Sequence, residues 1–112
     1  MILWHNPRCS KSRQTLTLLE ENGHAPEIRK YLEDVPTVAE LRAAADMLGL
    51  PVIAMMRVKE AAFKDKGLSK DSDAETLLTA MADAPKLIER PILFANGKAT
   101  IGRPPEQVLE IL

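Results

Sequence analysis

"LIERPILFANGKATIGRPPEQVLEIL", residues 87–112, turns on its Asn96-Gly97 pair. Asn-Gly between two apolar runs is the strongest short-range signal for a tight hairpin, because both central residues of a type I′ turn need positive φ. Strands are therefore predicted over Ile92–Ala95 and Lys98–Ile101, running antiparallel. Pro104 and Pro105 suit the first turn of a closing helix, with Val108, Leu109 and Leu112 as its apolar stripe.

Working outward to the N-terminus, Met1–Trp4 is a short apolar run stopped by the turn signal Asn6-Pro7, which reads as a buried strand. A helix is predicted from about Ser10 to Asn22, with Thr15, Leu16, Leu18 and Leu19 on its inner face and Gly23 as its left-handed cap. Glu27–Leu32 reads as a second strand, ending before Asp34 and Pro36, and parallel to the first because a crossover helix separates them.

The middle third reads as helical. Thr37-Val38-Ala39-Glu40 matches a capping box opening a helix with Val38, Leu41, Ala45 and Leu48 on one face, stopped by Gly49 and Pro51. Residues 52–66 are predicted helical with a kink near Arg57, packing Val52, Met55, Met56 and Phe63 inward. Ser72-Asp73-Ala74-Glu75 matches a second capping box, before a helix carrying Leu77, Leu78 and Met81 that ends at Pro85.

The order is then β-α-β, a helical insertion between the second and third strands, and β-β-α. This is a thioredoxin-like α/β arrangement, expected as a single domain over residues 1–112. That fold would put the first strand-to-helix turn, and with it Cys9, at its usual place for chemistry.

Cys9 is the only cysteine. A single thiol cannot form an internal disulfide and offers no cluster for a metal, so any redox chemistry needs a second thiol from another molecule. Fifteen Lys and Arg nearly balance sixteen Asp and Glu, which argues against recruitment by nucleic acid or an anionic membrane. No apolar run approaches the roughly 20 residues of a membrane span, and Met1–Trp4 is too short for a signal-peptide core, so the expected location is cytoplasmic.

A thiol at the first turn of a helix faces unpaired N–H groups and the positive end of the helix dipole, and both favour thiolate. Cys9 should therefore be acidic. Ser12, three residues on, can donate to the sulfur or can be ordinary helix filler. His5 can be a charge partner of Cys9 or a structural donor, while His24 reads as an exposed loop residue. Arg57, Arg90 and Arg103 each sit among apolar or proline neighbours, where a structural ion pair is one reading. If the fold brings them to Cys9, their guanidinium forks suit a tetrahedral oxyanion.

The segments "HNPRCSKSR" (5–13), "TLTLLEENG" (15–23), "YLEDVPT" (31–37), "LIERPI" (87–92) and "IGRPPEQVLEIL" (101–112) together resemble the glutaredoxin-coupled arsenate reductases of the ArsC type, which have a thioredoxin-like fold. The resemblance covers essentially the whole chain. Its most specific part is the combination of N-P-x-C-x-x-S-R with E-R-P-I and G-R-P-P-E.

The resemblance implies that Cys9 is the nucleophile, that His5 and Ser12 support its thiolate, and that Arg57, Arg90 and Arg103 bind the oxyanion. It also implies a cis Arg90-Pro91 bond. Arsenate would be the substrate, glutathione a co-substrate and glutaredoxin the partner, with no bound cofactor or metal, in a protein expected to be a monomer. Two other readings compete. One is a glutathione-dependent thiol oxidoreductase with a different substrate, which could dispense with the full arginine set. The other is an Spx-like regulatory module that binds RNA polymerase. Redox-sensing members of that class use a Cys-x-x-Cys pair, where this chain has Cys9-Ser10-Lys11-Ser12.

Overall fold

The computed structural model describes all 112 residues, which form two units: Met1–Asp34 with Arg90–Leu112, and Val35–Glu89. The first unit carries a four-stranded mixed sheet in the order β2-β1-β3-β4. Its strands are β1 (Ile2–Trp4), β2 (Glu27–Arg29), β3 (Ile92–Ala95) and β4 (Lys98–Ile101). β1 pairs parallel with β2 and antiparallel with β3, and β3 pairs antiparallel with β4. These are the strand directions and the thioredoxin-like order expected from the sequence.

The Asn96-Gly97 turn forms as predicted, with φ of 55° and 74°, the left-handed region that the tight hairpin demands. Leu3 on β1 and Leu93 on β3 pair in register and point to one face of the sheet. There they meet Leu19 of α1 (Ser10–Glu21) and Val108, with Leu16, Leu18 and Ile111 packed around them. The other face carries Trp4 and Phe94, whose rings lie 4.8 Å apart and tilted, with the Arg29 guanidinium 5.7 Å from the Trp4 ring centre.

Two elements of this unit differ from expectation. β2 stops at Arg29 instead of reaching Leu32, because its partner runs out: His5 N–H makes the last bond to Arg29 C=O, and β1 then turns away at Asn6-Pro7. Lys30 instead begins a turn, its carbonyl accepting from Glu33 and Asp34 N–H. The closing helix is 3₁₀, not α, over Pro105–Ile111. With three residues per turn, Pro105, Val108 and Ile111 share a face, so Leu109 and Leu112 stand exposed instead of joining the stripe.

The second unit packs α2 (Val38–Leu48) against α4 (Ala74–Asp83), burying Leu41, Ala44, Leu77, Leu78 and Met81. Arg42 of α2 and Glu75 of α4 form an ion pair. The Thr37/Glu40 capping box is present, and Gly49 closes α2 at φ 68°.

The second predicted capping box is not the one used. Asp73, one residue after Ser72, caps α4 by accepting from Thr76 N–H at 2.8 Å, while Ser72 Oγ accepts from Ser69 N–H in the preceding turn. A carboxylate is the stronger acceptor beside a helix's positive end, and it wins the position.

The predicted kinked helix over 52–66 is also corrected. A 3₁₀ turn (Val52–Met55) gives way to extended backbone at Met56, which bridges antiparallel to Ile88, before the short α3 (Ala61–Asp65). The backbone bonds here run across the chain, from Arg57 N–H to Leu87 C=O and from Glu89 N–H to Met55 C=O, and not along a helix.

Candidate active site

Cys9 occupies the N-cap position of α1, with extended backbone. Its own N–H donates to Asn6 C=O in a tight turn, and its C=O accepts from Arg13 N–H as the helix begins. Arg13 also reaches back to donate to Pro7 C=O at 3.0 Å, pinning the loop to the helix. The half-buried thiol therefore projects where the first N–H groups of α1 lack partners.

Burial alone would raise the Cys9 pKa. The N–H of Ser12, the charge of Arg90, the N–H of Lys11 and the charge of Arg103 together outweigh that cost, and the thiol titrates below its ordinary value. Arg103 is the cation in direct reach, with Nη2 3.9 Å from Sγ. It is aimed by a second bond, Nε to Arg90 C=O at 3.0 Å. The Arg90-Pro91 bond is cis, as the resemblance implies; Arg103-Pro104 is also cis, which no motif had suggested.

Ser12 is fully buried and is neither helix filler nor a hydroxyl donor to the sulfur, which it reaches through its backbone N–H. Its Oγ accepts from Asn6 N–H at 3.0 Å and lies 2.7 Å from His5 Nδ1. His5 is buried as well, and desolvation, with Lys30 and Arg13 charges nearby, pulls its pKa below the ordinary value. Burial and the nearby cations thus favour the neutral imidazole, and His5 is bonded to the loop through Ser12. His24 lies beyond α1 and takes no part in this cluster; its N–H donates to Leu19 C=O.

Gly102 shows why the strand ends approach the helix so closely. A Cβ there would lie 2.7 Å from Thr15 Oγ1 and 2.9 Å from Pro91 Cγ. Gly102 N–H donates to Pro91 C=O, so the same residue that lets β4 close on α1 also delivers Arg103 to the thiol.

Four of the expected residues in the first unit, Cys9, Ser12, Arg90 and Arg103, thus converge, with His5 behind Ser12. Arg57 belongs to the second unit. It follows Met56 at the break before α3, where its guanidinium pairs with Glu60 at 3.3 Å and its N–H holds Leu87 C=O. Sequence reasoning missed Asn6, whose backbone ties Cys9 and Ser12 together, and Lys30, which was assigned to a strand. No group of three or more His, Cys, Asp or Glu side chains is placed to hold a metal ion, and no helix is long and apolar enough to cross a membrane.

Chemically, this is a thiol made more acidic by flanking cations, whose thiolate is suited to attacking an electrophilic oxyanion centre while the guanidinium groups share its negative charge. A model of the ArsC family matches residues 4–111. The chain is 54% identical over 112 residues to Escherichia coli K12 YfgD, a protein described as uncharacterized, covering 98% of this chain and 94% of that one. It is 50% identical over 112 residues to an arsenate reductase of Neisseria meningitidis serogroup A, covering 98% and 96%. The solved arsenate reductase from Vibrio cholerae superposes with a TM-score of 0.96 at 55% identity, covering 99% and 96%.

Proposed function

Since the chain belongs to the ArsC family, we propose that it is an arsenate reductase that uses Cys9 as nucleophile and takes its second thiol from glutathione. The observation that carries this reading is the Cys9 thiol at the open end of α1 with Arg103 Nη2 3.9 Å from its sulfur.

In the first step the thiolate attacks arsenic. An S–As bond forms, an As–O bond breaks, and the oxygen leaves as water once protonated, with arsenic still pentavalent. Arg90, Arg103 and Arg57 are the proposed oxyanion ligands; guanidinium stays charged at any working pH and offers paired donors to oxygens that gain charge as the bond forms. His5 and Ser12 hold the loop so that the sulfur meets its substrate in the deprotonated form.

In the second step glutathione attacks the Cys9 sulfur. An S–S bond forms, the S–As bond breaks, and its electron pair stays on arsenic, which departs as arsenite. The mixed disulfide of Cys9 and glutathione is then cleared by thiol-disulfide exchange with glutaredoxin, restoring the thiolate. A lone cysteine supports this route, because no second protein thiol is present to resolve the adduct. A cytoplasmic setting, where thiols stay reduced, suits it.

The test is arsenate-dependent NADPH oxidation coupled through glutathione, glutaredoxin and glutathione reductase. Turnover in the wild type and none in Cys9→Ser is expected. Loss of arsenate dependence with glutathione-linked disulfide turnover retained would replace this reading with a thiol oxidoreductase of another substrate.

A further inference from the structure

The proposed chemistry needs an entry for the second thiol, and two open crevices of the first unit lie beside the neighbours of Cys9, one at Ser10 and one at Arg8. The larger, of about 410 Å³, runs along α1 and is faced by Arg13, Glu21 and Glu106. Its one cation is already committed to Pro7 C=O, and two carboxylates remain to repel an anionic ligand.

The other, of about 290 Å³, opens between the loops that follow the parallel strands β1 and β2, lined by Arg8, Lys30 and Glu33 with Pro7 and Leu32 as its apolar walls. This volume falls near the lower end of small-molecule sites, about 300–1,000 Å³.

Both walls are built. Arg8 N–H donates to Asn6 Oδ1 at 3.0 Å, which fixes the first loop. The bonds from Glu33 and Asp34 N–H to Lys30 C=O fold the second, bringing Lys30 and Glu33 to the same turn. None of Arg8, Lys30 and Glu33 is in a salt bridge. The crevice thus offers two cations and one carboxylate, the mirror of glutathione with its two carboxylates and one ammonium. Cys9 follows Arg8 directly, one Cα step of about 3.8 Å. A tripeptide of about 10 Å bound there lies beside the turn that carries the thiol.

We infer that this crevice is the glutathione site, with Arg8 and Lys30 taking the two carboxylates and Glu33 the ammonium. The assignment rests on the function proposed above and adds to it the place from which the reductant attacks.

Two measurements test it. The first is an NMR titration with S-methylglutathione, which cannot react and needs no arsenate. Shifts should concentrate on Arg8, Lys30 and Glu33, and Lys30→Ala or Arg8→Ala should each weaken binding about 1.5-fold to fivefold, the range for an exposed charge pair. The second compares the KM for glutathione with that for its glycyl ethyl ester in the coupled assay. The wild type should prefer the free acid, and one of the two cation variants should lose that preference.

Shifts on Arg13 and Glu106 instead, or equal preference in wild type and both variants, would overturn the assignment while leaving arsenate turnover intact. S-methylglutathione seated at Arg8, Lys30 and Glu33 in a protein without arsenate turnover would uphold the site and remove the reductase reading.

Discussion

Gly102→Ala probes the close approach that delivers Arg103 to the thiol. The new methyl would sit 2.7 Å from Thr15 Oγ1, 2.9 Å from Pro91 Cγ and 3.2 Å from Thr15 Cγ2, well inside the roughly 3.5–4.0 Å of comfortable contact. Neither neighbour is a loose end. Thr15 is fully buried with its hydroxyl donating to Lys11 C=O at 2.8 Å, and Pro91 is a ring in the backbone of a buried segment. The backbone must move, which costs about 1–3 kcal/mol for overpacking. The usual gain of about 0.4–1 kcal/mol from a less flexible unfolded chain offsets part of that. A net loss of roughly 1–2 kcal/mol lowers the melting temperature of a chain this size by about 4–8 °C.

The displacement also carries Arg103 away from Cys9, so the thiol pKa should rise toward its ordinary value. Calorimetry measures the first effect, and the pH dependence of iodoacetamide alkylation the second. A melting temperature within about 1 °C of wild type, with the alkylation profile unmoved, would refute the reasoning from close approach.

Four other outcomes follow from the site and its supports. Cys9 should alkylate with a midpoint below the reference of about 8.5, and Arg90→Ala and Arg103→Ala should each move it upward, Arg90→Ala further; an unshifted wild-type midpoint contradicts the site. His5 has a folded pKa below its unfolded value of about 6.5, so the unfolded chain binds the extra proton and stability falls as pH drops from there through the folded pKa. Denaturant titrations across that window should show a shallower slope in His5→Asn. Thr37→Ala should cost about 1 kcal/mol through loss of the capping box. Asp73→Ala should lower the melting temperature more than Ser72→Ala, and the reverse order would return the cap to Ser72.

What could be read from the sequence was whatever local chemistry decides alone. Asn96-Gly97 dictates its turn regardless of context, and so do the Thr37/Glu40 box and the glycine after α1. The misses lie where tertiary pairing overrides local pattern. Tyr31-Leu32 looks like strand, but a strand needs a partner, and β1 had already turned away at Pro7. Met55-Met56 looks like helix, but Met56 spends its backbone on a bridge to Ile88, thirty-two positions on.

The site divides the same way. Cys9 and Ser12 share one helix turn, so their spacing was legible, whereas the choice between a charged and a neutral His5 depended on burial and on Lys30 and Arg13 charges that only the folded chain brings near. Arg103's hold on Arg90 C=O likewise depends on two residues thirteen apart in sequence being opposed across a hairpin.

That hairpin has a further consequence. Every pair from Ala95↔Lys98 back to Ile92↔Ile101 steps symmetrically away from Asn96-Gly97, and continuing the count past Pro91 and Gly102 sets Arg90 opposite Arg103. The backbone alignment of the two arginines is thus set at the far end of the ribbon, by a two-residue loop that touches neither. Lengthening or shortening that loop by one residue would leave both arginines in the sequence yet slip the register of the strands that carry them. The electrostatics of the thiol are, in this sense, a property of loop length.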